Sequence, residues 1–393
     1  MEKVVIAGAA RTPVGDFLGS LKDVPAVELG VVAARAAMER AGVTPAQIED
    51  VVARMVYKEG VKGNPARQVQ LKCGIPVEAA AVTVEQQCAS GMRAVEIAAQ
   101  QIILGKAKVS LALGMESMSQ VPHLLLGARF GYLMGPARVE DALLYDALHD
   151  AFHGYHMGVT AENLAEKYGI TRQEQDELAL MSHQRAVAAT KEGRFKAEIV
   201  PVEVKTKKGA VVVAEDEHPR ADTSLEALSK LRPVFKEGGT VTAGNASGVN
   251  DGAAALILMA ESKARGLGIQ PLARILATAS FGVAPEIMGI GPAYAVPKAL
   301  RYAGLQLKDI DYFEINEAFA AQFLAVNREL RLDLDRVNAN GSGIALGHPV
   351  GCTGVRIIVT LLSELRRRGG RYGVASLCVG GGPAMAIVVE MVE

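Results

Sequence analysis

The chain has 393 residues, half of them apolar, so it can bury sizeable cores and is neither disordered nor fibrous. Its 42 Lys and Arg nearly cancel 43 Asp and Glu, which leaves no basic field to hold nucleic acid or an anionic membrane. Nine Phe, nine Tyr and no Trp make poor stacking platforms for bases, and the longest apolar run, residues 253–260, is far short of a bilayer span.

Met1-Glu2-Lys3 leads directly into strand-like residues 4–7, with no signal or transit pattern. Four scattered cysteines without a CxxC pair fit a reducing compartment, so the cytoplasm is the expected location. A helical pattern opens at Pro25, carries Leu29, Val32, Ala33, Ala36 and Ala37, and stops at Ala41-Gly42. Gly42 suits a left-handed C-cap there. Residues 44–50 then lead to the strand Val51-Val52, and an extended run at 79–84 precedes Cys88. Ser90-Gly91-Met92-Arg93 opens a long apolar helix (Val95, Ala98, Ala99, Ile102, Ile103) that reaches a strand at 109–113.

The middle of the chain reads differently. Residues 121–140 are rich in Gly and Leu, with few charges before Arg138. Helices are expected over 160–168 and 171–189, the second opened by a capping box from Thr171 to Glu174. A charged, β-rich loop region is expected from 196 to 236.

Past residue 268 the first pattern returns. A helix from Pro292 ends at Ala303-Gly304, and residues 307–311 lead to Tyr312-Phe313. Thr353-Gly354-Val355-Arg356 opens a second helix (Ile357, Ile358, Leu361, Leu362) that reaches a strand at 372–379. The Ala-Gly stop recurs after 262 positions and the second helix after 263, two registers in near agreement. The expected fold is α/β: two duplicated halves of mixed sheet flanked by helices. Residues 1–120 form the first half and 268–393 the second. Residues 121–267 form an inserted loop domain that returns to the first half near 240–267. Such a core places its site where the copies meet.

Several residues there have the chemistry for catalysis. Cys88 stands at a helix N-terminus, where the macrodipole favours a thiolate, and its small neighbours Ala89, Ser90 and Gly91 leave room for a substrate. The plainer reading is a buried, inert thiol, which also suits Cys73 and Cys352. His348 lies in a loop with glycines at 341, 343, 347 and 351, which can fix an imidazole or simply turn tightly; no P-loop ending follows it. Cys378 precedes Val379-Gly380-Gly381-Gly382, whose unhindered N–H groups can serve an oxyanion. Asn316 stands ahead of a helix through Phe323, Val326 and Leu330, where an ordinary N-cap is the simpler role. His149, His153 and His156 share one helical face, but no Cys or carboxylate completes a metal set, so no metal is expected.

Together these motifs resemble the thiolase family. Gln87-Cys88-Ala89-Ser90-Gly91, Asn316-Glu317-Ala318-Phe319, Gly347-His348-Pro349 and Cys378-Val379-Gly380-Gly381-Gly382 carry the resemblance. Gly154-Tyr155-His156-Met157-Gly158, Lys230-Leu231-Arg232-Pro233, Gly244-Asn245-Ala246-Ser247-Gly248 and Met288-Gly289-Ile290-Gly291-Pro292 extend it along the chain, most nearly toward the biosynthetic acetyl-CoA acetyltransferases. One departure is visible: the family usually has Asn where this chain has Glu85. A carboxylate so close is expected either to raise the pKa of the thiol or to alter the support of its loop.

The resemblance implies a ping-pong Claisen condensation of two acetyl-CoA to acetoacetyl-CoA and CoA, or the reverse thiolysis. Cys88 would be the nucleophile, His348 its base, and Cys378 the base and returning acid for the α-carbon. His348 and a water on Asn316 would hold the enolate, while the N–H groups of Cys88 and Gly380 would hold the tetrahedral adduct. CoA contacts carry over to Leu148, His156, Met157, Arg220, Phe235, Ala243, Ser247, Met288 and Phe319, with Arg220 suited to a phosphate. CoA enters as substrate and product, and no permanently bound cofactor is implied. The family further implies a homo-oligomer, a dimer of dimers joined through an arm at 121–140. Three other readings stand beside this one. A broad-chain 3-ketoacyl-CoA thiolase of fatty-acid degradation would share every motif. A ketoacyl-synthase-like enzyme would lack a Cys before the terminal glycines, and a silent acyl-CoA-binding scaffold would have lost catalytic residues that are all present here.

Overall fold

The computed structural model describes residues 2–392. The first half supplies β1 (Val4–Arg11), β2 (Gly15–Asp16), α1 (Ala26–Ala41), β3 (Asp50–Arg54), α2 (Pro65–Lys72), β4 (Ala80–Val84), α3 (Ser90–Ile103) and β5 (Val109–Ser117). The middle holds β6 (His123–Leu124), β7 (Glu140–Asp141), α4 (Met157–Tyr168), α5 (Arg172–Lys191), β8 (Val202–Thr206), β9 (Gly209–Val213) and α6 (Leu225–Ser229). It is followed by β10 (Asn250–Ala260) and α7 (Glu261–Leu267). The second half consists of β11 (Ala273–Gly282), α8 (Pro292–Ala303), β12 (Tyr312–Ile315), α9 (Ala320–Leu330), α10 (Gly343–Leu346), α11 (Thr353–Arg368), β13 (Tyr372–Cys378) and β14 (Pro383–Met391).

The halves repeat one wiring. The strands run in the order β1-β10-β5-β3-β4 in the first and β11-β14-β13-β12 in the second. β3 is parallel to β4 and β5, as β12 is to β13, while the pairs β1–β10 and β11–β14 are antiparallel. The halves join edge to edge only through Val5 with Arg274 and Ile6 with Ala273. Gly42 and Gly304 close α1 and α8 at φ 64° and 71°, a left-handed turn that glycine makes without a Cβ clash. Every residue of β5 and β10 is buried, which explains why the longest apolar run falls in β10, covered on both faces.

The three largest hydrophobic clusters, with the sheet halves, make five layers. One lies between α1, α2 and the first sheet half, and another beneath α4, α8 and α9 on the second. Between the sheets lies the third, where α3 (Val95, Ala98, Ile102) and α11 (Ile357, Ile358, Leu361) face Leu256 and Leu258 on one side and Leu377 and Ile387 on the other. The N-terminal ends of these two helices touch backbone to backbone. A Cβ at Gly354 would lie 2.5 Å from the Met92 nitrogen, and one at Gly91 would lie 2.9 Å from the Val355 nitrogen. Only glycine tolerates that approach.

The middle segment folds over this core. α5 opens with the expected capping box: the Glu174 N–H donates to Thr171 Oγ1 at 3.2 Å, and the Thr171 N–H donates to Glu174 Oε2 at 2.7 Å. The stretch from 196 to 236 contains only the β8–β9 hairpin and the short α6, fewer strands than its composition suggested. Its acidic groups act as tethers instead. Asp216 Oδ1 accepts from Arg11 Nη1 at 2.7 Å and from the Val14 N–H at 2.8 Å, tying the loop to the first sheet half. β6 and β7 pair as the base of an arm whose tip exposes Phe130, Leu133 and Met134 almost completely. Among the described residues, no helix is long and apolar enough to cross a membrane, and all four cysteines are free.

Candidate active site

Cys88 sits on a tight turn, Gln87–Ala89, directly ahead of α3. Gln87 adopts φ 47°, unusual for a residue with a side chain. Its carbonyl is held in that orientation by Ser90 Oγ, which donates at 2.9 Å, and by the Arg54 guanidinium. Burial raises the Cys88 thiol pKa above its ordinary value. The Arg54 charge and the N–H groups of Gly380 and of Cys88 itself oppose that rise, and Glu85 adds to it. Glu85 thus acts in the expected direction but is the smallest of these influences, since it is partly solvent-exposed and lies 3.9 Å from Arg54 Nη2. The helix terminus alone does not make a resting thiolate, because desolvation outweighs it.

His348 comes from the glycine-rich loop. β5 receives this loop closely, for a Cβ at Gly114 would lie 2.4 Å from the Gly351 oxygen. The His348 N–H donates to Asn250 Oδ1 at 2.9 Å, and the ring Nδ1 is 2.6 Å from Thr353 Oγ1. Thr353 spends its hydroxyl proton on the Pro349 carbonyl at 3.0 Å. Its oxygen therefore accepts from Nδ1–H, which assigns the tautomer and leaves Nε2 as a lone-pair base. Among the described residues Nε2 has no hydrogen-bond partner. Burial, with the positive Arg356 and Arg54 behind it, holds the His348 pKa down at about 3. The ring is a neutral base at every pH where the protein would work.

Cys378 ends β13 and is fully buried. Burial, then the charge of Cys88, pushes its thiol well above the ordinary range. Asn316 extends β12, its N–H donating to the Ser376 carbonyl at 3.0 Å. It is not an N-cap: α9 begins at Ala320, after Phe319. Both polar atoms of its buried side chain lack hydrogen-bond partners among the described residues.

A cavity of about 310 Å³ gathers these groups. Cys88, His348, Cys378 and Gly380 line it together with Leu148, His156, Met157, Phe235, Ala243, Ser247, Met288 and Phe319. Two sequence-derived residues are not on its wall. Asn316 is not part of its lining, and Arg220 lines a neighbouring cavity of about 340 Å³ that shares Ala243 and Ala246 with the first. His156 stacks on Phe235 at 4.4 Å, and its Nδ1 accepts from the Gly158 N–H at 3.0 Å. Burial, then His149, keeps it neutral with a pKa of about 4. Gln87, Met118 and Val350 also line the cavity and went unread in the sequence. Gln87 was visible only as the neighbour of Cys88; Met118 and Val350 look like any apolar loop residue. Cys73 and Cys352 are buried away from this wall, as their plainer reading had it. Among the described residues no group of three or more His, Cys, Asp or Glu could hold a metal ion.

The base depends on Thr353. Thr353→Val strands a buried Nδ1–H, a loss of about 1–3 kcal/mol, so kcat/KM is expected to fall at least about fivefold with the fold retained. Because His348 stays neutral to about pH 3 and both thiols are raised, the wild-type rate should climb with alkaline pH. It should show no inflection near the free-histidine value of about 6.5. Steady-state kinetics across pH check both statements, and an unchanged Thr353→Val rate would remove the tautomer argument.

Known proteins resemble this chain along its whole length. Residues 4–262 match the model of the thiolase N-terminal domain, and residues 269–391 that of the thiolase C-terminal domain. An acetyl-CoA acetyltransferase of Escherichia coli K12 is 52% identical over 391 residues, covering 99% of each chain. The solved structure of an acetyl-CoA acetyltransferase from Syntrophomonas wolfei is 52% identical with TM-score 0.98, covering 100% of both chains. A human mitochondrial 3-ketoacyl-CoA thiolase solved in complex with CoA is 45% identical with TM-score 0.96, over 100% of this chain and 98% of that one. On its sequence, its duplicated fold and the cavity where its halves meet, this chain belongs to the thiolase family.

Proposed function

We propose that this protein is an acetyl-CoA C-acetyltransferase that joins two acetyl-CoA into acetoacetyl-CoA and CoA, reversibly, through acetyl-Cys88. The observation that carries the reading is the convergence of two thiols and one neutral imidazole base on a single cavity, with the Gly380 N–H aimed at the nucleophilic sulfur.

Cys88 attacks the thioester carbonyl and gives its proton to His348 Nε2. The oxyanion sits on the N–H groups of Cys88 and Gly380. The adduct collapses by breaking the bond to the CoA sulfur, which leaves carrying the proton of Cys378. Acetyl-Cys88 cannot ionise, so no thiolate beside Cys378 opposes this transfer and only burial resists it. Cys378, now a thiolate, takes the α-proton of a second acetyl-CoA. The enolate oxygen is held by His348 Nε2–H and by a water on Asn316. The enolate carbon attacks acetyl-Cys88, the carbon–sulfur bond breaks, and the departing Cys88 thiolate recovers its proton from His348. Each residue ends in its starting protonation state, the α-proton on Cys378 replacing the one that left with CoA.

CoA is substrate and product, with no permanently bound cofactor. Its thin pantetheine arm lies along Leu148, His156, Met157, Ala243, Ser247 and Phe319, and Arg220 in the adjoining cavity takes a phosphate. The apolar arm tip, nearly fully exposed at Leu133 and Met134, is a surface that monomers avoid and serves as the contact of a dimer of dimers. Shortening the arm is expected to leave dimers in light scattering; an unchanged tetramer would refute its role.

Mass spectrometry after mixing with acetyl-CoA tests the division of roles. Cys88→Ala should acquire no acetyl group, whereas Cys378→Ala should acetylate on Cys88 and stall before condensation. An acetyl group found on Cys378 alone in the wild type would reverse the assignment.

Chain length separates this reading from a broad 3-ketoacyl-CoA thiolase, since the fold accommodates both kinds of relative. Met157, Met288 and Phe319 are buried bulky walls beside the nucleophile. An extra methylene in a packed site costs about 1–3 kcal/mol, so acetoacetyl-CoA should exceed 3-ketohexanoyl-CoA in kcat/KM by at least about tenfold. Comparable values would favour the broad-chain enzyme.

A further inference from the structure

We propose that Arg54 is a positioning residue for Cys88: it clamps the turn that presents the thiol and fixes a positive charge beside the sulfur as its proton leaves. The inference rests on Cys88 being the nucleophile. Arg54 ends β3 and is fully buried. Its Nη2 donates to the carbonyl of Gln87, the residue held at φ 47°. With Ser90 Oγ as a second donor, that carbonyl has one orientation, and the next N–H, of Cys88, is thereby aimed at its own sulfur.

The charge around the thiol comes from every packed element. β3 contributes Arg54, with Tyr57 just beyond it, and β5 contributes Glu116; Glu85 lies on the nucleophile's own loop, and His348 and Cys378 come from the second half. His348 is neutral down to about pH 3. Tyr57 and Cys378 are held in their neutral forms by burial. Glu116, whose Oε2 is 3.4 Å from Arg54 Nη1, is pushed up to about 7 by burial, so it carries only part of a charge near neutrality. Arg54 itself is brought down by burial only to about 10 and stays cationic. Of these groups Arg54 is the one cation. Glu85, 3.9 Å from Nη2 and open to solvent, partly offsets it.

The internal repeat supports the assignment. Asn316 lies 262 positions after Arg54 and His348 lies 263 after Glu85, the two registers of the duplication. By these registers Arg54 and Glu85 hold the sequence positions ahead of α3 that Asn316 and His348 hold ahead of α11.

The test is the pH dependence of Cys88 alkylation by iodoacetamide, read by peptide mapping, which needs no acetyl-CoA. Arg54→Gln should raise the midpoint by at least about one unit, making alkylation at neutral pH roughly tenfold slower. Arg54→Lys, which keeps the charge without the fork, should restore most of the midpoint but not the acetylation kcat. Glu85→Gln, on a solvent-exposed side chain, should lower the midpoint and speed alkylation about twofold. A folded Arg54→Gln protein with the wild-type midpoint overturns the proposal. Should that variant not fold, a Glu85→Gln midpoint that is unchanged or raised overturns it. An acetyl group missing from Cys88 in the wild type would instead count against the underlying assignment of the nucleophile.

Discussion

The site depends on a contact between two helix ends. Gly91 and Gly354 let α3 and α11 meet with no side chain between their backbones, at the centre of the layer that both sheet halves cover. Cys88 precedes one of these ends and His348 the other, so the approach of the helices sets the distance between nucleophile and base. Packing interiors are close to incompressible, and a displaced helix here would carry a catalytic group with it. Gly114 and Gly351 repeat the device where the His348 loop meets β5. Four small residues thus fix a geometry that larger ones would force apart.

Burial then decides the protonation states. It pushes Cys88 and Cys378 up and His348 down, so the resting site holds two thiols and a free base rather than an ion pair. Thioester chemistry suits that arrangement. A neutral imidazole can accept a proton as the sulfur attacks, and two thiols that rest uncharged do not repel the thiolate of a departing CoA. The two thiols are coupled, so ionisation of Cys88 opposes ionisation of Cys378.

The sequence carried the fold well because the fold repeats. Caps at Gly42 and Gly304, the capping box at Thr171 and the apolar faces of α3 and α11 are local signals, read from neighbouring residues. The catalytic residues became legible through motif resemblance, and the cavity brings most of them together. Asn316 looked like an N-cap from its position alone, but the helix starts three residues later than that role requires. Arg54, Asn250 and Thr353 were not legible as site residues. Arg54 and Asn250 act on loops 33 and 98 positions away in sequence. Thr353 reaches His348 only because the loop folds back on the helix it opens. Partners of this kind are made by tertiary contact, and no local pattern announces them.

The duplication also explains why one protein can hold both an acyl-accepting and a carbon-deprotonating centre. Two copies of one unit offer two helix N-termini and two strand ends around a shared middle layer. In the second copy the strand end and the pre-helix loop carry Asn316 and His348, groups that bind an oxygen or move a proton. In the first, the matching places carry Arg54 and Glu85, groups with fixed charge, and the helix start carries the thiol. Had both copies kept the same residues, the cavity would hold two equivalent centres competing for one substrate. On the proposed mechanism, divergence at these positions gives one half the nucleophile with its electrostatic support and the other half the acid–base chemistry. The backbone contact at Gly91 and Gly354 is what makes these unlike halves a single site.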